Sequence, residues 1–356
     1  MSDETPQPRP WIVIVGGFLG SGKTTLILAA ARLLEQRGVR CAVILNDQSN
    51  DLVDSRHADA QGFLAREVTG GCFCCRFSEL MSVIEHLQTY RPAVIFAEPV
   101  GSCTDISATV LGPLLESFDR YRVAPFTVLV DPARAAELLA ANADSDMAFL
   151  FEKQLHEADL VCMTKADFYP DAAGIPGMET RRLSAKTGQG VQQWLDEILL
   201  GSQEAGRTTL EIDYGRYAQA EAALAWLNLS CNLVLAVPLS PALIIGPLMD
   251  RLDTALTAAA IPIVHLKAFD RSAAGWLKAA VCTNGEEPRI EGDLDASPAG
   301  HHELVVNLRA KGDPEVVRRI VELQLRLIEG QVRDVHLECF SPAPPKPERR
   351  MARSRT

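Results

Sequence analysis

No apolar run in these 356 residues approaches the ~18 that a membrane-spanning helix requires, so no membrane role is expected. Met1 to Pro10 is polar and proline-rich and lacks the apolar centre of a secretory signal, which makes the cytoplasm the expected compartment. Basic residues are the minority, with 35 Lys plus Arg against 46 Asp plus Glu. The resulting net charge of -11 repels phosphate backbones and argues against broad nucleic-acid binding. What is present in quantity is apolar, 47% of the chain, enough to fill the cores of about two domains at ~150 residues each. Nine cysteines are an odd number, and three of them crowd together as Cys72, Cys74 and Cys75. Without an export signal, that crowding reads as thiolate chemistry rather than as disulfides.

The organisation follows from periodicity. Residues 11–15 form a short continuous apolar run, as in a strand buried on both faces. A Gly-rich turn comes next, then Thr24 to Gln36 with Leu26, Ile27, Ala30, Leu33 and Leu34 at helical spacing. Strand-like runs at 41–45, 93–97, 125–130 and 160–163 alternate with helical stretches at 79–87, 133–141 and 148–156. That alternation predicts an α/β domain over 10–200 with a mostly parallel sheet covered on both faces. Residues 201–216 are polar and glycine-containing and read as a linker. Beyond them, 217–340 follows a β-α-β-β-β-α-β order, as in a smaller α+β domain of split βαβ type, with Asn284-Gly285 as a hairpin signal. Residues 341–356 are Pro-rich and basic and are expected to be disordered.

Gly17-Phe18-Leu19-Gly20-Ser21-Gly22-Lys23-Thr24, followed by Thr25, satisfies G-x-x-x-x-G-K-[ST] between a strand and a helix. The glycines let backbone N–H groups turn inward onto phosphate oxygens, Lys23 reaches the β/γ-phosphates, and the Thr24 hydroxyl is placed to ligate Mg²⁺. Thr164-Lys165-Ala166-Asp167 follows a strand late in the domain and resembles the N-K-x-D box of GTPases, with Thr164 in place of Asn. A carboxylate at Asp167 accepts two hydrogen bonds from guanine, whereas adenine would leave it unpaired at a loss of ~1–3 kcal/mol. Ser184-Ala185-Lys186 downstream matches the element that supports the guanine carbonyl, so GTP is the expected nucleotide. Asp47, with Asp51 and Asp54 in the loop after the second strand, is placed to order Mg²⁺ or the attacking water. Glu98 ends a buried strand beside the phosphate loop and suits Mg²⁺, with Gly101 free to approach the γ-phosphate.

Three thiols behind Gly70-Gly71 converge on one soft or borderline cation, Zn²⁺ or another divalent transition metal such as Co²⁺. A tetrahedral ion needs a fourth donor, and Cys103 and His57 are candidates by loop position. With the phosphate loop, Gly70-Gly-Cys-Phe-Cys-Cys75, Glu98-x-x-Gly101 and Thr164-Lys-x-Asp167 together, the chain resembles the CobW family, P-loop GTPases related to the HypB and UreG metallochaperones of nickel hydrogenase and urease. The resemblance covers about residues 10 to 200. It implies a GTPase that couples metal insertion or metallocofactor assembly to nucleotide state, a client metalloprotein or assembly enzyme as partner, and a homodimer meeting across nucleotide sites. Two departures stand out. The family's His-rich tract is missing, with only seven His and only His301-His302 adjacent, and Ser49 replaces the Gly of the loop after the second strand. A P-loop small-molecule kinase, or a metal sensor that binds GTP without useful turnover, are the competing classes. The kinase accounts for Lys23 and Thr24 but not for the guanine box or the thiols.

Overall fold

A computed structural model describes residues 9–48, 53–117, 119–201 and 203–351. Ser49 and Asp51, singled out above, lie outside the described residues. The chain divides into two compact units, one of residues 9–48, 63–217 and 345–351, the other of residues 53–62 and 218–344.

In chain order the first stretch contains β1 (Trp11–Gly17), α1 (Lys23–Glu35), β2 (Cys41–Asn46), α2 (Val53–Ala60), β3 (Ala65–Val68), α3 (Phe77–Gln88) and β4 (Val94–Glu98). A π-helical turn at Ser107–Leu111 runs into α4 (Gly112–Leu115). After it come β5 (Arg122–Val123), β6 (Thr127–Val130), α5 (Pro132–Leu138), α6 (Ser145–Glu157), β7 (Leu160–Met163), β8 (Thr180–Arg182), α7 (Val191–Leu200) and α8 (Tyr214–Ala222). The strands pair in the order β3-β2-β4-β1-β6-β7-β8, with β5 also beside β1, and every pairing is parallel. Continuous apolar strands such as Ile12 to Val15 and Ile95 to Ala97 are fully buried because helices cover both faces. In such a sheet all strands end at one edge, and the loops there are where ligands bind. Asn46, Glu98, Asp131 and Thr164 lie at the ends of β2, β4, β6 and β7, beside the loop that follows β1.

The second unit holds β9 (Leu224–Leu239), α9 (Pro241–Ala258), β10 (Ile263–Ser272), β11 (Gly275–Val281), β12 (Arg289–Gly292), β13 (Ala299–Lys311), α10 (Pro314–Leu325) and β14 (Gln331–Phe340). Its sheet runs β12-β11-β10-β13-β9-β14, all antiparallel. Setting aside the β11–β12 hairpin, this is the split βαβ arrangement, with Ile245, Leu248, Leu252, Val317 and Val321 of the two helices in its core. Short β12 was absent from the sequence reading, since only Ile290 is apolar in Arg289–Gly292.

Two boundary expectations change. Residues 205–210 are not a free linker, because the Asp159 carboxylate accepts the N–H groups of Gly206 at 2.7 Å and Arg207 at 2.9 Å. Residues 345–351 are not loose either, although their composition is that of a disordered tail. The Glu348 N–H donates to the Cys74 carbonyl at 2.9 Å, Arg350 donates to Asp105 at 2.8 Å, and the Met351 N–H reaches the Ala108 carbonyl at 2.9 Å. Composition alone did not register those partners.

Candidate functional site

The loop after β1 turns tightly. At Gly17 φ is +132°, and a Cβ there would meet the Leu129 carbonyl oxygen at 2.4 Å, so only glycine fits. Lys23 opens α1 and is buried; its ammonium donates to the Gly17 carbonyl at 2.9 Å and lies 3.9 Å from Glu98. The Thr24 hydroxyl donates to Glu98 Oε2 at 2.7 Å, so a hydroxyl and a carboxylate stand side by side. Such paired hard oxygens suit a magnesium ion. Ser21 Oγ is buried with no hydrogen-bond partner among the described residues, and polar atoms of that kind point to a ligand oxygen. A Cβ on Gly101 would come within 2.7 Å of the Leu19 side chain and 3.2 Å of Lys23 Nζ, so the loop after β4 presses onto the phosphate loop. Thr25 follows in the first turn of α1.

Opposite, Thr164 Oγ1 donates to the Ser21 carbonyl at 2.9 Å, tying the end of β7 to the phosphate loop. Lys165 adopts φ +57°, donates to the Gly20 carbonyl at 3.1 Å and pairs with Asp131. Its stem is thereby held over the loop. The Ser184 hydroxyl donates to Asp167 Oδ1 at 2.6 Å and accepts the Thr187 N–H at 3.2 Å. Ser184, with Ala185 and Lys186 after it, is thus joined to Asp167 across 17 residues.

The cysteine segment is a tight turn, with the Cys75 and Arg76 N–H groups both donating to the Cys72 carbonyl. Its sulfurs are close: Cys72 to Cys74 at 2.8 Å, Cys72 to Cys75 at 3.4 Å, and Cys74 to Cys75 at 3.6 Å. Cys103, from the loop after β4, stands 4.0 Å from Cys74, and the sulfurs of Cys72, Cys74 and Cys103 lie within 4.8 Å of one another. Tetrahedral zinc–thiolate bonds of ~2.3 Å set sulfurs about 3.8 Å apart, so the donor set fits a thiophilic ion. Hydrogen bonding to the Cys103 sulfur is the first cause raising the Cys72 and Cys74 thiols, and the Cys72 bond is the first cause raising Cys75 to about 11. Such a set binds metal with loss of protons. The Lys346 N–H donates to Cys75 Sγ at 3.1 Å, the kind of outer bond that steadies a ligating thiolate.

Asn46 joins the two regions. Its amide donates to the Val68 carbonyl at 2.9 Å and the Gly71 carbonyl at 2.8 Å, and its oxygen accepts the Phe73 N–H at 2.8 Å. Asp47 follows, with its carboxylate on the Gln48 N–H at 2.6 Å. Asp54, in contrast, is not in a loop. It sits in the first turn of α2, counted with the second unit, where Lys267 pairs with it and Lys278 lies 3.9 Å away. Those two ammonium groups hold its carboxyl far below the usual range against the opposing effect of burial. The loop position expected for it is thus corrected to a helical one, with its carboxylate taken up by two ammonium groups of the second unit. His57, named above as a candidate fourth donor, is likewise counted with the second unit. It is buried in the second unit, 3.2 Å from Lys278 Nζ and 3.3 Å from Glu291, and burial lowers it to about 4.

Several contributors escaped the sequence reading. Asp131 caps α5 ahead of Pro132, a strand-end signal that was legible. The Gln154 amide bridges the Gly101 and Cys103 carbonyls, each at 2.9 Å, and Glu157 accepts from the Thr104 hydroxyl at 3.1 Å and the Ser107 N–H at 3.0 Å. Both come from the last turn of α6, and no local pattern marks them.

The nucleotide-binding-domain model of the CobW/HypB/UreG family matches residues 11–192. The zinc chaperone YjiA of Escherichia coli is 28% identical over 167 residues, covering 45% of this chain and 51% of that protein. The zinc chaperone CobW of Pseudomonas aeruginosa is 31% identical over 191 residues, 44% of this chain and 48% of that one. The hydrogenase maturation factor HypB of Azotobacter chroococcum is 29% identical over 221 residues, 58% and 65% respectively. The chain thus spans about half to two thirds of the length of these curated relatives. Matched from β1 to the start of α7, more than half of its 356 residues, the chain belongs to the CobW/HypB/UreG family.

Proposed function

We propose that this chain is a GTP-hydrolysing metallochaperone that takes up a divalent transition metal on its cysteine cluster and releases it according to nucleotide state. The observation that carries the reading is Asn46, whose side chain clamps Gly71 and Phe73 of the cysteine turn while its backbone ends the strand leading into Asp47. A kinase has no use for that connection.

In this reading the phosphate loop holds the β- and γ-phosphates through its N–H groups and Lys23, and Asp167 with Ser184 reads guanine. Water adds to the γ-phosphorus, the bond to the bridging oxygen breaks, and GDP leaves with that electron pair while inorganic phosphate forms. Magnesium, held by Thr24 and Glu98, would neutralise charge on the phosphate oxygens. Asp47, which follows the last residue of β2, is the residue assigned in this reading to order the water. Gly101 follows the γ-phosphate, and its displacement on hydrolysis passes to the thiols. Zinc is the cargo favoured by the names of two relatives, and cobalt fits the same donors. The client is a metalloprotein or cofactor-assembly enzyme in the cytoplasm, reached by a homodimer.

The test combines phosphate release with metal analysis on anaerobically purified protein. GTP turnover together with one thiol-bound metal per chain is expected, and Lys23→Ala should abolish turnover with the fold intact. Turnover undiminished in that variant, or no thiol-dependent metal, would overturn the proposal.

A further inference from the structure

Of the nine cysteines, Cys41, Cys162 and Cys231 are buried where burial itself is the first cause that raises them. Cys103 is equally buried, at 3% exposure, but it faces the sulfurs of Cys72 and Cys74, brought by a different loop. Its own loop is anchored to hold that position. The Gln154 amide fixes the carbonyls on either side, Gly101 and Cys103, and the Tyr217 hydroxyl accepts the N–H of the next residue, Thr104, at 3.1 Å. Two residues before Cys103, Gly101 lies against Lys23 and Leu19 of the phosphate loop, and three residues before that, Glu98 holds Thr24. One segment of six residues therefore begins at the magnesium-type oxygens and ends at the thiols.

We infer that Cys103 is the fourth ligand of the metal, and the one that transmits nucleotide state, because its backbone continues the loop that lies against Leu19 and Lys23 of the phosphate loop. The inference rests on the reading above and adds to it a residue outside the Cys72–Cys75 turn. A ligand carried on the turn alone would leave the metal indifferent to Gly101. A ligand on the Glu98–Cys103 segment cannot move without changing the coordination. The set then becomes Cys₄, a closed structural-type site, when Cys103 is in, and an open three-thiolate site, ready to hand over its ion, when Cys103 is drawn out.

The experiment uses the full chain loaded with Co²⁺ under anaerobic conditions, because cobalt–thiolate charge transfer counts sulfurs. Cys103→Ser should lower that band by about a quarter, one of four thiolates, and weaken metal binding at least about tenfold. In the wild type, exchanging GDP for a non-hydrolysable GTP analogue should change the band, and in Cys103→Ser it should not. Cys103→Ala, checked for folding by circular dichroism, repeats the measurement without an oxygen donor, and Cys162→Ser serves as the buried-cysteine control. A full-strength band in both Cys103 variants would overturn the ligand assignment alone. Absence of any thiolate band in the wild type would defeat it together with the metallochaperone reading.

Discussion

At the scale of single residues, the exchange of Asn for Thr at position 164 has a structural account. The Thr164 hydroxyl reaches the Ser21 carbonyl at 2.9 Å and so keeps a bond between the base-side loop and the phosphate loop. What it lacks is a second polar atom, so in the proposed guanine site base selection would fall more heavily on Asp167. Asp167→Asn would, in that proposed site, set a donor where guanine N–H groups need an acceptor, and it also disturbs the Ser184 bond. GTP affinity should fall by ~1–3 kcal/mol, with ATP binding little altered. Competition binding with both nucleotides checks this, and an unchanged GTP/ATP ratio would remove Asp167 from the base site.

At the scale of elements, the loop after β4 is controlled by α6, and the sign of one titration is diagnostic. Burial pushes Glu157 from 4.5 up to about 8, with the nearby Asp105 adding to the rise and the Ser107 N–H opposing it. A carboxyl whose folded value is raised supports the fold fully below its unfolded value, and that support is lost as pH climbs toward about 8. Stability should therefore decline between about pH 4.5 and 8 through this group. Glu157→Gln, neutral throughout, should match the wild type near pH 5 and melt several degrees higher near pH 9. Parallel melting curves across that range would show that Glu157 is not the group responsible. Such a residue also marks the limit of what the sequence reveals. Buried strands such as 93–97 and 160–163, the phosphate loop and the thiol turn declare themselves because each is a local pattern. Edge strands Ala65–Val68 and Thr180–Arg182 are short, the first half polar and the second wholly so, and no apolar run announces them. Cys103, Gln154 and Asn46 act through partners 22 to 53 residues away, and only the sheet order that places β2, β4 and β1 side by side brings them together.

At the scale of the whole molecule, the question is whether nucleotide and metal sites act as one system. The chain between β2 and β3 carries α2, whose Val53 N–H donates to Asn307 at 2.8 Å and whose Asp54 pairs with Lys267, so this segment is committed to the second unit at its centre. Its two ends, Asn46-Asp47 and Val68 to Gly71, belong to the first unit and are joined by the Asn46 side chain. On the proposed reading, a rearrangement of Asp47 on nucleotide exchange would reach the cysteine turn through Asn46. Metal affinity should differ between GTP and GDP states by the ~1–3 kcal/mol typical of coupled sites, about 5- to 150-fold. Linkage then fixes a second quantity with no further assumption: metal must shift the ratio of GTP to GDP affinity by the same factor. Replacing Cys72, Cys74 and Cys75 together with Ser should erase both effects while leaving metal-free GTP binding close to that of the wild type. A chelator-competition titration in each nucleotide state gives the first factor, and nucleotide titration with and without metal gives the second. Equal metal affinities in the two states, or two unequal factors, would mean that the sites share a sheet edge without sharing a free energy.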